Sequence, residues 1–335
     1  MKNAVKIVLT NIAVAVVFLT ALEVFAYKSL FTTQDGGFLN YKQYDKIKDE
    51  FVVDNHIYIN YQKPKKGDPI YFEKDGRSFV GEKYKSPAIL LLGDSYTYGL
   101  GLTKKETFGY QLSEYLKKPV YNWGWCTEGI EYSLLEMKDD RNINLIKTTA
   151  PDKQKPLDYV IYTYGYNQPT RLVSPNRQYR YKYLRNYGLL TGQKTTPFDN
   201  LYSIFVLKNK LFISSLKSDT ENKILDVFFN EILTIKSDVQ KNFPSAKFVL
   251  LIYSDSEDLV RKCNLNIDDI EIKILNSPRW KELEKLGVTV IRTDELIGRK
   301  ATADEIIDNE RTVTIHPNAK AWATIIPPLC DRLYK

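Results

Sequence analysis

Only two histidines, His56 and His316, occur in the 335-residue chain, so a multi-histidine metal centre is excluded and imidazole chemistry has two candidates. His316 lies in Thr314-Ile315-His316-Pro317-Asn318, immediately before a proline that suits the first position of a helix. A ring at such a boundary is held on a rigid element, as a general base must be. His56 stands in a polar, turn-rich stretch and reads as a solvated or locally bonded residue. The matching nucleophile is Ser95, in Leu90-Leu91-Leu92-Gly93-Asp94-Ser95, where an apolar run ends. In open α/β sheets the functional crevice lies at the carboxyl ends of the strands, which is where this pattern puts the hydroxyl. The same tripeptide also reads as a plain strand-to-helix turn, with glycine for the bend and Asp94 or Ser95 as the cap. It is not the G-x-S-x-G elbow, because position 97 is threonine.

Two further apolar runs end in amide donors. Val120-Tyr121-Asn122-Trp123-Gly124 offers a glycine amide, and Ile161-Tyr162-Thr163-Tyr164-Gly165-Tyr166-Asn167 offers an asparagine side chain. At adjacent strand ends, the Gly124 amide and the Asn167 side chain can aim at one oxygen, as an oxyanion hole requires. A nucleophile, a base and two donors therefore occur in an order that acyl transfer can use.

Those residues need a sheet to bring them together. Short, nearly continuous apolar runs at 88–92, 120–122, 159–163, 247–253 and 288–292 predict five strands covered on both faces. Longer periodic stretches alternate with them, at 107–117, 130–138 and 221–241, where Ile224, Phe228, Ile232, Ile235 and Val239 repeat at helical spacing. A last helix is expected from Pro317 to Leu333, kinked or divided at Pro327-Pro328. The alternation predicts an α/β fold with a central five-stranded parallel sheet. A hydrophobic content of 43% with 27% charged residues excludes disordered, collagen-like and multi-span membrane classes. Cys126, Cys263 and Cys330 form no CxxC pair, which excludes a zinc ribbon or a dithiol motif and leaves at most one disulfide.

Over about residues 87–335 the sequence resembles the SGNH/GDSL hydrolase family. Gly93-Asp94-Ser95 resembles its first block, Gly124 its second, Gly165-Tyr166-Asn167 its third and His316-Pro317-Asn318 its last. The resemblance implies a flavodoxin-like three-layer α/β/α sandwich and a carboxylic ester hydrolase that needs no cofactor and no metal. It assigns Ser95 as nucleophile, His316 as base, and the Ser95 amide, the Gly124 amide and Asn167 as oxyanion donors, each typically worth about 3 to 4 kcal/mol of barrier. The family usually places an aspartate three residues before its histidine. Here that position is Val313, so Asp308, Glu310 or Asp304 supplies the carboxylate, or a backbone carbonyl orients a Ser-His dyad.

Ahead of this domain, Lys2 and Lys6 precede an apolar run from Ile7 to Tyr27. As a helix that run is about 31 Å long, roughly a bilayer's hydrocarbon thickness. The basic flank predicts a start in the cytoplasm and a body outside it, at the periplasm or cell surface. Residues 1–28 thus read as a signal anchor or transmembrane helix, the competing reading being a signal peptide cleaved after Val24-Phe25-Ala26. Residues 29–86 read as a stalk and peripheral segment with short strands, and 168–219 as an insert in the catalytic domain.

That insert carries nine Lys and Arg against Asp199 and Asp219, an excess equal to the whole chain's net charge of +7. Within it Arg180, Lys182 and Arg185 alternate with tyrosines, a surface that suits an anionic glycan, a phospholipid head group or a membrane face, or else a solvated excursion. Nucleic acid is not expected in that compartment. The expected activity is removal of O-acyl groups, from a small molecule or a cell-envelope polysaccharide. The alternatives are an O-acyltransferase using the same pair and a noncatalytic carbohydrate-binding or assembly module.

Overall fold

Leu90, Leu91 and Leu92 carry no exposed surface, and this run of leucines builds the central strand of the sheet. The computed structural model describes residues 2–31, 78–99, 102–124, 130–165, 220–254, 269–309 and 312–334. The chain divides into two compact units, residues 1–46 with 173–220 and residues 47–172 with 221–335.

In the first unit, helix α1 runs from Lys2 to Phe31. The side chains described on it, residues 10–25, are exposed except for half-buried Glu23. Thr10, Asn11, Thr20 and Glu23 interrupt its apolar run. Among the described residues no helix is long and apolar enough to cross a membrane, so the expected transmembrane anchor is not found.

The second unit holds a six-stranded mixed sheet. Its strands are β1 (Ser78–Val80), β2 (Ala88–Gly93), β3 (Val120–Gly124), β4 (Leu157–Tyr164), β5 (Lys247–Ile252) and β6 (Thr289–Arg292), in the spatial order β1-β3-β2-β4-β5-β6. From β3 to β6 every neighbouring pair is parallel, while β1 pairs antiparallel with β3, Phe79 opposite Tyr121. The expected five-stranded parallel sheet is corrected by this edge strand. It comes from the turn-rich segment before Pro87 and is three residues long, too short to show a period of its own.

Among the parallel strands the chain order reverses between β2 and β4, which lie side by side. In doubly wound sheets this switch point is where a crevice opens beyond the strand ends. Helices cover both faces, because consecutive strand residues point to opposite sides. Ile89, Leu91, Ile161, Val249 and Leu251 share a core with Phe108 and Leu112 of α3 (Phe108–Leu116) and with Trp322, Ile325 and Leu329 of α10 (Ala319–Tyr334). On the other face Tyr162 and Tyr164 meet Phe228 of α6 (Thr220–Asn242) edge to face.

Between these elements lie α2 (Ser95–Tyr98), α4 (Ile130–Lys138), α5 (Asp140–Thr149), α7 (Asp269–Leu275), α8 (Trp280–Lys285) and α9 (Thr293–Ile297). Strands β7 (Ile306–Asn309) and β8 (Thr312–Pro317) form a separate antiparallel pair that the apolar runs did not reveal. His316 therefore stands on a strand and not at a helix start. Helix α10 begins at Ala319 and continues through Pro327-Pro328 without division. Ile325, Ile326, Leu329, Cys330 and Leu333, all buried on either side of the prolines, hold it against the sheet.

Candidate active site

Strand β2 ends in Gly93, at φ +145°, a conformation that side chains rarely adopt. A Cβ there would lie 2.8 Å from the Thr163 carbonyl of β4, so glycine lets the chain turn between two touching strands. Asp94 follows as the cap of α2, its Oδ1 accepting from the Tyr96 amide at 3.0 Å. The strand-to-helix turn is thus as expected, with Asp94 as its cap and Ser95 at the start of α2. The Ser95 amide occupies the first position of α2, where a helix leaves its N–H without an intrahelical partner.

His316 arrives from the other side of the crevice. The β7/β8 register shifts between Ile306, opposite Pro317, and Ile307, opposite Thr314, so Ile315 and His316 fall in an irregularity of the ladder. Bulges of this kind re-aim a side chain beside functional sites. His316 Nε2 lies 2.6 Å from Ser95 Oγ, across 221 residues of sequence. The serine is buried, 6% exposed, and the histidine half-buried, so the pair is partly withdrawn from water. With Nε2 accepting from the hydroxyl, the serine proton has a base within transfer distance.

Asn318, two residues after the histidine, ties the end of β8 to the turn before β7 and to the start of α10. Its Oδ1 caps α10 by accepting from the Lys320 and Ala321 amides. Its Nδ2 donates to the carbonyls of Asp304 (2.8 Å) and Ile306 (2.9 Å), and its own amide donates to the Glu305 carbonyl (2.9 Å). Buried Glu305 is held in turn by a bidentate bond from Arg299, both contacts 2.7 Å, which together with Thr302 brings its carboxyl down to about 2. Asp304 is also lowered to about 2, first by Lys320 and then by Thr302.

The second strand end is tied to the nucleophile turn by Asn122. Its Nδ2 donates to the Thr97 carbonyl at 2.8 Å, and its Oδ1 accepts the Gly124 amide at 3.0 Å. The amide expected to face an oxyanion is therefore engaged by a buried side chain in this structure. Gly124 lies in register with Gly93, and a Cβ on it would come within 2.6 Å of Thr97 Cβ. Its lack of a side chain thus permits the close approach of β3 to α2.

The structure brings Ser95 and His316 together and places Gly124 beside the Ser95 turn. Asp308 lies on β7 in register with Val313, the position where the carboxylate was expected. Asp304 turns its carboxylate to Lys320 and Thr302. Asn167, Glu310, Arg180, Lys182, Arg185, His56, Cys126 and Cys263 lie outside the described residues. Cys330 is buried and free, its thiol pushed up to about 12 by burial. Asn122, Tyr96 and the Arg299–Glu305 pair were not singled out from sequence. Asn122 stood in the quoted strand end, and an asparagine two residues before a glycine that must stay close to a neighbouring turn was the available signal.

No protein-family model matches the chain, and no curated relative matches it. Solved structures similar to this chain include SGNH/GDSL hydrolases and carbohydrate esterases. The structure of TesA is 11% identical, covering 74% of this chain and 98% of TesA, with a TM-score of 0.41. A member of the lipolytic protein G-D-S-L family from Veillonella parvula is 10% identical over 73% of this chain and 97% of its own, with a TM-score of 0.37. A family two carbohydrate esterase from Cellvibrio japonicus is 15% identical over 75% of this chain and 61% of its own, also with a TM-score of 0.37.

Proposed function

We propose that this chain is a serine esterase of the SGNH/GDSL type that removes O-acyl groups. The observation that carries the reading is the 2.6 Å contact between Ser95 Oγ and His316 Nε2, formed at the switch point of the sheet. As Oγ bonds to the acyl carbon, its proton passes to Nε2, and the ester oxygen leaves with that proton as the alcohol. Water then gives a proton to the same nitrogen and its oxygen to the acyl carbon, and Ser95 recovers its proton as the carboxylic acid departs. The Ser95 amide is the first donor for the tetrahedral oxyanion. Gly124 and Asn167 complete the set when the Gly124 amide turns from Asn122 to the substrate.

An acylated polysaccharide of the cell envelope is the substrate class favoured by the cations and tyrosines of residues 168–219. Lys2 and Lys6 ahead of the apolar run support delivery of the catalytic unit out of the cytoplasm. One experiment addresses both chemistry and location. Intact cells are treated with a fluorophosphonate probe that does not cross the cytoplasmic membrane, and the adduct is mapped by mass spectrometry. Labelling at Ser95 that is lost in His316→Ala is the expected result. A folded protein labelled nowhere, in cells or in lysate, overturns the esterase, and labelling in lysate alone overturns the location.

A further inference from the structure

The His316 ring has an aromatic neighbour on the nucleophile's own helix. Tyr96 follows Ser95 directly and is buried, with its ring centroid 5.1 Å from that of His316 and the planes tilted by 56°. We propose that Tyr96 is a positioning residue that holds His316 against Ser95 and stabilises the imidazolium through its ring face. The proposal rests on Ser95 and His316 being the reacting pair.

Three observations make the tyrosine a fixed part of the site. Its amide is bonded to Asp94 Oδ1, the bond that also sets the Ser95 turn. Its ring meets Tyr253 edge to face at 5.4 Å, Tyr253 meets Trp322 at 5.7 Å, and Trp322 stacks on Phe108 at 4.3 Å, so a chain of rings runs from the site into the core. On the other side comes Gly165, where a Cβ would lie 3.0 Å from Tyr96 Cγ and 3.1 Å from Cδ1. A side chain at position 165 would press on the tyrosine ring, so glycine there lets the backbone pass beside it.

Proton transfer from Ser95 turns the imidazole into a cation. The face of an aromatic ring carries negative potential and attracts a cation within about 6 Å of its centroid, most strongly where water is excluded. The usual carboxylate position is Val313, which offers no charge. Among the described residues, the elements packed most closely against β8 include α2, β7 and α10. Helix α2 brings Tyr96 and Tyr98 with Asp94 at its cap. Strand β7 brings Asp308. Helix α10 brings Lys320, whose ammonium is paired with Asp304, and at its far end Cys330, Asp331, Arg332 and Tyr334. Tyr96 is the member of this set whose ring contact with the imidazole is established.

The test replaces Tyr96 in the full chain by Phe, by phenylalanines carrying one to five ring fluorines, and by Leu. Fluorination keeps the ring's shape while draining its negative face. The readouts are kcat and KM for a neutral aryl acetate and the pH at which kcat/KM falls on the acid side. The expected result is a Phe variant close to the native enzyme and a stepwise fall in kcat to about tenfold at full fluorination. KM stays unchanged, and the acid limb moves to lower pH by about half to one pH unit, because the imidazolium loses its support. Flat kcat and a fixed acid limb across the folded fluorinated series overturn the proposal, even if the Leu variant does not fold. A loss already complete in Phe overturns it as well, assigning the effect to the hydroxyl. Turnover that survives Ser95→Ala would instead defeat the underlying Ser95–His316 reading, which the fluorinated series does not test.

Discussion

Asp304, Asp308 and Glu310 all stand within a short stretch before His316, and their surroundings distinguish two of them. The Asp304 carboxylate is exposed and committed to Lys320 and Thr302, which keep it ionised down to about pH 2. Asp308 is on β7, directly across from Val313. Its backbone is thus in register with the position that the resemblance assigns to the carboxylate. Asp308→Asn is expected to lower turnover of an aryl acetate by tens to thousands of fold, as loss of a triad acid does elsewhere. Asp304→Asn should leave it unchanged. Native rates in the Asp304, Asp308 and Glu310 variants alike would establish a Ser-His dyad in which neighbouring groups such as Tyr96 carry the imidazolium.

The elements behind the histidine carry a second prediction, on stability. Glu305 pairs with Arg299 and joins Thr302 to the start of β7, while the Asn318 amide takes the Glu305 carbonyl. Its carboxyl is held at about 2 in the folded protein, below its ordinary 4.5, chiefly by the Arg299 bond. A depressed carboxyl contributes stability that is full above the unfolded value and is lost as pH falls through the folded one. Urea unfolding of the native chain should therefore weaken between about pH 4.5 and 2. Glu305→Gln should cost about 2 kcal/mol at pH 7, the usual scale of a charged hydrogen bond, and flatten that part of the pH profile. An unchanged profile would mean that Arg299 and Glu305 are solvated independently. This hairpin is also where the sequence was hardest to read. Ile130–Lys138 forms a helix over the range that its pattern predicts, and strands β2 to β6 lie where apolar runs announce them, because burial on both faces leaves a composition signal. Strands β7 and β8 together hold ten residues, include Asp308, Asn309, Thr312 and Thr314, and owe their pairing to each other, so no run of apolar residues marks them. The site was legible at Ser95 and His316 for a different reason. Few residue types can do nucleophilic and base chemistry, and only two histidines were available. Asn122 and Tyr96 meet the site through contacts with distant strands and rings, which spacing along the chain does not encode.

At the scale of the whole molecule, the described candidate site residues and most of the basic segment belong to different compact units. Ser95, Gly124 and His316 fall within residues 47–172 and 221–335, whereas residues 173–219 belong to the unit that includes residues 1–46. In the sequence, the charged stretch follows strand β4, which ends at Tyr164. Over residues 168–219 the excess of cations equals the net charge of the chain, and the proposed nucleophile and base lie outside that stretch. Charge on this segment should therefore act on capture and leave the chemical step alone. Attraction between charges across water is screened over about 10 Å at 0.1 M salt, so it should weaken as ionic strength rises. Replacing Arg180, Lys182 and Arg185 by glutamine is expected to raise KM for an anionic acylated glycan several-fold at low salt and to flatten its salt dependence, with kcat retained. A neutral aryl acetate, which has no charge for the segment to attract, should be hydrolysed as before. Equal losses on both substrates would assign these residues to the support of the catalytic unit, and an unaltered KM with an unaltered salt slope would remove the segment from substrate capture.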